Sequence, residues 1–514
     1  MSGRDTRTAS QQIIGNKERV ISHSFAMIVI ASLIGIIAAT LPAGLGWQYF
    51  LELPGLARIS IGIVVFAAFL WITEAIPAYA VSLVVIGLNV LLLSSTGFGG
   101  ADANGFNIFG MGDILTPQGV QADSALTFSQ YLLPWASNLM WLFMAGFMLA
   151  EALTKTKLDI RFARIIMKAV GTKPINVLLG AMGTTFLLSM FMSNTATAAM
   201  MIALMASFVR TLPQGEPFAK ALYIGVPVAA NVGGMGTIIG TPPNGIAVEA
   251  LNNVGVHIDF ITWTIIGFPV ALILFAVSLV AIWFFYRPTI SKFEIEFEED
   301  GKLPDDATPE EIAVQNKKNL ERKITIAVFA LTVILWITGK LHNISTYVIA
   351  LIPIVVLGAT SIVDAKGFRK LPWDVLMLLT GGLSMGVAIE RTGLGLWLSG
   401  LVPADVDPLS TLLIVMLLAL VMCNLLSRTV TASILIPIAI TMFPKDMLFD
   451  YIPIVALVCS TAMMLPISTP PNAVAFASGR LETKDFMKIG SVLIIVGPIV
   501  SLGWGLFIIP FLGH

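Results

Sequence analysis

Two tripeptides of short polar side chains interrupt otherwise apolar stretches: Ser193-Asn194-Thr195 and Ser427-Arg428-Thr429. Two further interruptions carry prolines, Gly240-Thr241-Pro242-Pro243-Asn244 and Ser468-Thr469-Pro470-Pro471-Asn472. Hydroxyls and amides donate hydrogen bonds to carboxylate oxygens, and a guanidinium adds a fixed positive charge. Proline lacks an N–H and disfavours helix in the residue before it, yet it fits the first position of a new helix, where Thr is a good cap. New helices are therefore expected near Thr241 and Thr469, and just after Ser193 and Ser427. Four helix N-termini converging on one region, each with unpaired N–H groups and about half a positive charge, make an anion site without any lysine. Two related pockets suit a ligand with a carboxylate at each end. Ser-Asn-Thr alone also suits ordinary helix–helix packing. Its recurrence in register with two Pro-Pro breaks favours the site.

Arg428 is the clearest charge inside these apolar stretches. A charge at bilayer depth costs about 2.5–3.5 kcal/mol on insertion scales, so it requires a partner. Either it faces the anion as a bidentate fork, or it binds backbone carbonyls and caps structure. Its position at a tip favours the fork.

The elements that must position these residues lie in a chain of 514 residues, 56% hydrophobic and 12% charged, with mean hydropathy +0.88. Soluble domains carry about 25% charged residues, so the bilayer must be the solvent for most of this chain. A net charge of −1 leaves no footprint for nucleic acid. Cys423 and Cys459 both fall in apolar runs and cannot form a zinc or disulfide framework. His23, His257, His342 and His514 lie outside the long apolar runs, without a metal partner at helical spacing. No nucleophile with a base and no Walker-type loop occurs, which argues against an enzyme and a primary pump. The polar segment Met1–Arg19 lacks the features of a signal peptide.

Runs long enough to span occur at about 24–44, 56–72, 79–95, 131–152, 260–285, 323–339, 345–363, 373–390 and 487–512. Two more, 221–250 and 451–478, are interrupted by Thr-Pro-Pro-Asn. The stretches 174–211 and 408–443 fit neither one span nor two. From Pro174 to Val209 no charged residue occurs, with Ser193-Asn194-Thr195 in the middle. A re-entrant hairpin with its polar tip near the midplane solves both, provided protein or a water-filled cavity surrounds it. Loop charge agrees. Residues 96–130 and 251–259 hold no Lys or Arg, whereas 154–173, 287–322, 364–370 and 479–488 all do. The positive-inside rule gives eleven spans plus two re-entrant hairpins, N-terminus inside and C-terminus outside.

The segment 287–322 is the long hydrophilic connector, with ten acidic and six basic residues and a helix start at Thr308-Pro309-Glu310. The halves on either side resemble each other. Gly146–Leu158 compares with Gly382–Leu394, the two tips compare, and the two Pro-Pro breaks compare, in the same order. The charge-derived topology runs the two copies in opposite directions. Inverted repeats with discontinuous helices are the architecture of transporters with a midplane site. The fold class is an all-α integral membrane protein.

On these residues, and from Trp71-Ile72-Thr73-Glu74-Ala75-Ile76-Pro77 to the last span, the sequence resembles the divalent anion:sodium symporter family of di- and tricarboxylate transporters. The resemblance implies a homodimer in a plasma (inner) membrane, working as an elevator on succinate, malate, fumarate, 2-oxoglutarate, citrate and sometimes sulfate. It divides the chain into a cytoplasmic segment 1–23, scaffold spans and an extracytoplasmic loop over 24–130, and a transport repeat over 131–286. The connector follows, then scaffold spans over 323–372 and the second transport repeat over 373–514. It implies that Ser193, Asn194 and Thr195 contact one carboxylate and Ser427, Thr429, Thr469 and Pro470 the other, with Thr241 the counterpart of Thr469. It implies one sodium by the first tip, at Ser189, Ser193, Asn194 and Gly240. The second sodium site departs from the family pattern, because Arg428 stands where members have Asn and Cys423 where they have Thr. A hard cation wants oxygen ligands, so that site is expected to be lost. With a permanent charge beside the anion, an empty carrier crosses with Arg428 unpaired and a loaded one crosses neutralised. That predicts sodium-independent exchange of dicarboxylates and no other cofactor. A sodium-coupled symporter is the alternative, and a non-transporting membrane receptor or structural protein the alternative of a different class.

Overall fold

The fold is known from a computed structural model that describes residues 9–44, 53–96, 114–116, 119–121, 126–210, 212–292, 308–401 and 405–511. Expectations for 1–8, for most of the 96–130 loop, for 293–307 of the connector and for His514 fall outside the described residues.

Apart from one small hairpin, the described secondary structure is helical. Strands Ile114–Thr116 and Gly119–Gln121 pair antiparallel, with Leu115 opposite Val120. The all-α fold class holds, and this hairpin is a local exception, since three-residue strands leave no mark on a reading tuned to membrane-length runs. Among the described residues, seven helices are long and apolar enough to cross a membrane: Ser22–Pro42, Gly55–Thr73, Phe128–Lys155, Phe260–Phe285, Trp373–Arg391, Pro408–Leu425 and Thr483–Phe511. Five further apolar helices among the described residues are shorter, including Ala78–Leu93 and Thr346–Ala359. The runs 221–250 and 451–478 are each split in two by a break.

Contacts divide the chain into two compact units. One comprises Met1–Trp135 with Thr380–Pro403, and the other Ala136–Leu379 with Ala404–His514. In the first unit, helix Ala9–Gly44 packs along Gly55–Thr73. There the buried Asn89 donates its side-chain amide to the Ser384 carbonyl at 3.1 Å, and the Ser384 hydroxyl donates to the Tyr131 carbonyl at 3.1 Å. The second unit holds both polar tips and both proline breaks.

Two local features follow directly from sequence. Thr308 caps helix Pro309–Ile337, its hydroxyl accepting from Glu311 N at 3.3 Å while the Glu311 carboxylate accepts from Thr308 N at 2.9 Å. The helix start expected at Thr308-Pro309-Glu310 is present, and Glu311 completes it as a reciprocal cap. The helix runs without interruption from the hydrophilic connector into the apolar run that follows. The basic stretch after the fourth span is also ordered. Leu158–Ala169 is a helix that buries Ala163 and Met167 and exposes Arg161 and Lys168, as an amphipathic surface helix does.

Candidate anion-binding site

Each of the two stretches that fit neither one span nor two folds as a helical hairpin. The first has arms Pro174–Ser189 and Asn194–Val209, the second Pro408–Leu425 and Arg428–Met442, and in each the arms pack together. Each broken span unwinds through a short 3-10 turn and restarts at a proline: Pro217–Gly233 then Pro242–Asn253, and Leu448–Thr461 then Pro470–Ala477. The packing is crosswise. The second arm of each hairpin lies against the restarted helix of the other repeat, Asn194–Val209 on Pro470–Ala477 and Arg428–Met442 on Pro242–Asn253.

Unwinding leaves carbonyls without helical partners, and buried ones must be satisfied. The Asn of each Thr-Pro-Pro-Asn does this. Asn244, fully buried, donates its side-chain amide to the carbonyls of Gly234 (3.1 Å), Met235 (3.2 Å) and Thr237 (2.7 Å). Asn472 donates to Met463 (3.1 Å) and Leu465 (3.0 Å). The motif is thus a break, a restart and a clamp in five residues.

The four N-termini are not equivalent. At the proline breaks the first two helical positions carry no N–H. The next is spent, Asn244 N on the Thr241 carbonyl (3.2 Å) and Asn472 N on the Thr469 hydroxyl (3.3 Å). The expectation of unpaired N–H groups at all four ends is corrected accordingly. At the hairpin tips they remain. The N–H groups of Asn194, Thr195 and Ala196, and of Arg428 and Thr429, have no acceptor among the described residues, while Val430 N bonds the Ser427 hydroxyl at 3.2 Å.

At the first tip, the Ser189 hydroxyl hydrogen-bonds Asn194 Oδ1 and lies 2.7 Å from the Ala230 carbonyl. One proton serves two acceptor oxygens, so the cluster is rich in the lone pairs a hard cation takes. Thr237 donates to the Met190 carbonyl and ties the tip to the break. Glycine is required here: a Cβ on Gly234 would meet the Asn194 amide at 2.8 Å, and one on Gly240 would meet the Gly234 carbonyl oxygen at 2.4 Å. Ser189, Asn194 and the Gly234–Gly240 turn are therefore packed together. Ser193 and Thr195 are half-buried, and Thr241 is buried with no capping bond from its side chain.

At the second tip, Arg428 is only 7% exposed. Its Nη2 donates to Asn231 Oδ1 at 2.7 Å and its Nη1 to the Ser460 carbonyl at 3.1 Å. Both acceptors are uncharged, and no carboxylate is among its bonds or ion pairs in the described residues. The buried thiols of Cys423 and Cys459 lie beside it and in contact with each other. Asn231 Nδ2 continues the network to Thr469 Oγ1 (3.0 Å) and Asn472 Oδ1 (3.1 Å). Ser427 and Pro470 are exposed, Thr429 is half-buried and Thr469 is buried. Arg428 and Thr469 are thus joined, through a residue that carries no sequence motif. The signal that would have found Asn231 is a lone amide in the apolar run Ile224–Val232.

The sodium:sulfate symporter transmembrane region family matches residues 22–513. The sodium-dependent dicarboxylate transporter SdcS of Staphylococcus saprophyticus is 29% identical over 86% of this chain and 84% of its own length. Its counterpart in Staphylococcus aureus strain USA300 is 27% identical over 89% of this chain and 87% of its own. The solved YdaH transporter of Alcanivorax borkumensis aligns with a TM-score of 0.49 at 13% identity, covering 85% of this chain and 98% of that one.

Proposed function

This chain belongs to the sodium:sulfate symporter family of multi-pass membrane transporters, and we propose that it exchanges one dicarboxylate for another without requiring sodium. The substrates are of the succinate, malate, fumarate and 2-oxoglutarate class, which the names of its relatives support. One carboxylate binds at Ser193, Asn194, Thr195 and Thr241, and the other at Ser427, Arg428, Thr429, Thr469 and Pro470.

The observation that carries the reading is Arg428, a buried positive charge held only by neutral oxygens. The desolvation penalty of an uncompensated buried ion is several kcal/mol. A bound carboxylate lifts it, and a carrier without substrate bears it throughout the crossing. Movement is therefore fast when loaded and slow when empty, the kinetic definition of exchange. The same guanidinium, with Cys423 beside it, occupies the second sodium position with nitrogen and sulfur rather than oxygen. The oxygen cluster of Ser189, Asn194 and Ala230 favours at most one sodium, near Ser193 and Gly240.

Eleven spans and two re-entrant hairpins carry this out as an elevator, in a homodimer of the plasma membrane with the N-terminus cytoplasmic and the C-terminus outside. The hairpins and broken spans (131–286 and 373–514) form the moving part, and spans within 24–130 and 323–372 the scaffold.

The test is radiolabelled succinate uptake into proteoliposomes, with and without unlabelled dicarboxylate inside, in sodium and again in choline. Uptake that needs internal dicarboxylate and ignores sodium is the expected result. Uptake into empty vesicles that needs external sodium would replace exchange with the symport that the relatives' names favour.

A further inference from the structure

We infer that Asn231 is a positioning residue for the anion: it passes the polarity of Arg428 to the Thr469 hydroxyl and makes that hydroxyl a donor to substrate. The inference rests on the exchange reading above.

The argument is an inventory of protons. Arg428 has donors only, so the Asn231 carbonyl oxygen must face it, and the 2.7 Å bond agrees. The orientation of the amide is then decided, and its Nδ2 must point the other way, to Thr469 Oγ1 at 3.0 Å. Thr469 Oγ1 also accepts from Asn472 N at 3.3 Å. A hydroxyl has two lone pairs and one proton, and both lone pairs are now taken. Its proton has no acceptor among the described residues, though the side chain is 1% exposed. An orphaned buried donor is costly unless something accepts from it, and the group expected there is a carboxylate oxygen. Each bond in the chain from Arg428 through Asn231 to Thr469 polarises the next in the direction that favours an anion at the end.

Asn231 is not the clamp of the unwound turn. Asn472 performs that task in this repeat, as Asn244 does in the other. The residue at the same spacing before the second Pro-Pro break is Cys459, so only one of the two sites has such a relay.

Asn231→Asp keeps the size and removes the donor. The Thr469 hydroxyl would then turn its proton inward, and Arg428 would gain an internal counter-charge. The expected result is a succinate KM raised at least tenfold, together with efflux of labelled succinate from preloaded vesicles into substrate-free buffer. Thr469→Val, which leaves Arg428 untouched, should raise KM to a similar degree and keep strict exchange. It also serves if the Asn231 variant does not fold. A purely structural role would lower yield and maximal rate with KM within twofold of wild type, and that result in both variants would overturn the inference while leaving exchange intact. Wild-type vesicles that carry no dicarboxylate at all would sink the exchange reading and this inference with it.

Discussion

Replacing Arg428 by Gln separates charge from hydrogen bonding at the second tip. A carboxylate about 4 Å from the guanidinium gains about 4 kcal/mol at an effective dielectric of about 20, an upper figure for this site. Glutamine keeps one amide donor group, which can serve Asn231 Oδ1 or the Ser460 carbonyl but not both as the guanidinium does. Losing the Coulomb term predicts a fall in succinate affinity of about 10²–10³-fold. Losing one buried acceptor's partner predicts a stability loss of about 1–3 kcal/mol, visible as a lower melting temperature in detergent. The decisive consequence is kinetic. If the empty carrier is held back by several kcal/mol of unpaired charge, removing that charge accelerates its return by orders of magnitude. Vesicles preloaded with labelled succinate and diluted into substrate-free buffer should retain it with the wild type and leak with Arg428→Gln. Arg428→Lys keeps the charge but not the planar fork, and should bind more weakly yet remain an exchanger. Efflux from Arg428→Gln vesicles that still depended on external dicarboxylate as strictly as in wild type would refute the charge-based explanation.

Three further outcomes follow from the geometry. Ser189→Ala removes the hydroxyl shared by Asn194 and the Ala230 carbonyl; a lost bond of about 1 kcal/mol should raise succinate KM about fivefold in sodium and choline alike, and a rise confined to sodium media would instead make Ser189 a sodium ligand. Gly240→Ala sets a Cβ 2.4 Å from the Gly234 carbonyl oxygen; overpacking of about 1–3 kcal/mol should lower the melting temperature and abolish exchange, whereas wild-type flux would show that the turn relaxes. At the start of the last long helix Asp485 accepts from Tyr286 (2.8 Å) and pairs with Lys220 (2.9 Å), which also meets Glu482 at 3.1 Å. Outside that helix, Lys484 and Lys220 hold the Glu482 carboxyl below the usual carboxylate range. A lowered carboxylate stabilises above its ordinary value of about 4 and loses that contribution as pH falls through the folded value. The melting temperature should therefore drop below about pH 4, and Glu482→Gln should be slightly lower at pH 7 with a shallower acid decline.

What the sequence disclosed was whatever depends on local chemistry. A chargeless stretch with Ser-Asn-Thr at its middle became two arms with a break at that point, because neither one span nor two fits its length. Pro-Pro after Thr became a helix start, since the missing N–H costs nothing there. The cap at Thr308 was legible for the same reason. What stayed hidden depends on partners far along the chain. Nothing local tells that Asn231 meets Arg428, 197 residues away, or that Ser460 offers its backbone rather than its hydroxyl. The loss of free N–H groups at the proline breaks could have been read, because two prolines in sequence remove two donors from the very end that was assigned an anion.

That loss sharpens how a dianion is shared between the repeats. The proline breaks contribute oriented peptide dipoles and clamped turns, while N–H donors come from the hairpin tips. The first tip offers three N–H groups without acceptors among the described residues, beside a cluster of oxygens, a site built from neutral groups. The second offers two, with a guanidinium and a hydroxyl aligned through Asn231. A neutral site and a charged site on one substrate are not interchangeable. On the exchange proposal, the end of the substrate at the second tip would compensate Arg428, and the other end would be read by hydrogen bonds alone. A monocarboxylate can satisfy the charge and leave the first tip's donors unmet, so it should bind weakly and drive exchange slowly. Acetate failing to compete with labelled succinate at a hundredfold excess is the expected result. Competition by acetate as strong as that by unlabelled succinate would show that the first tip takes no part in recognition.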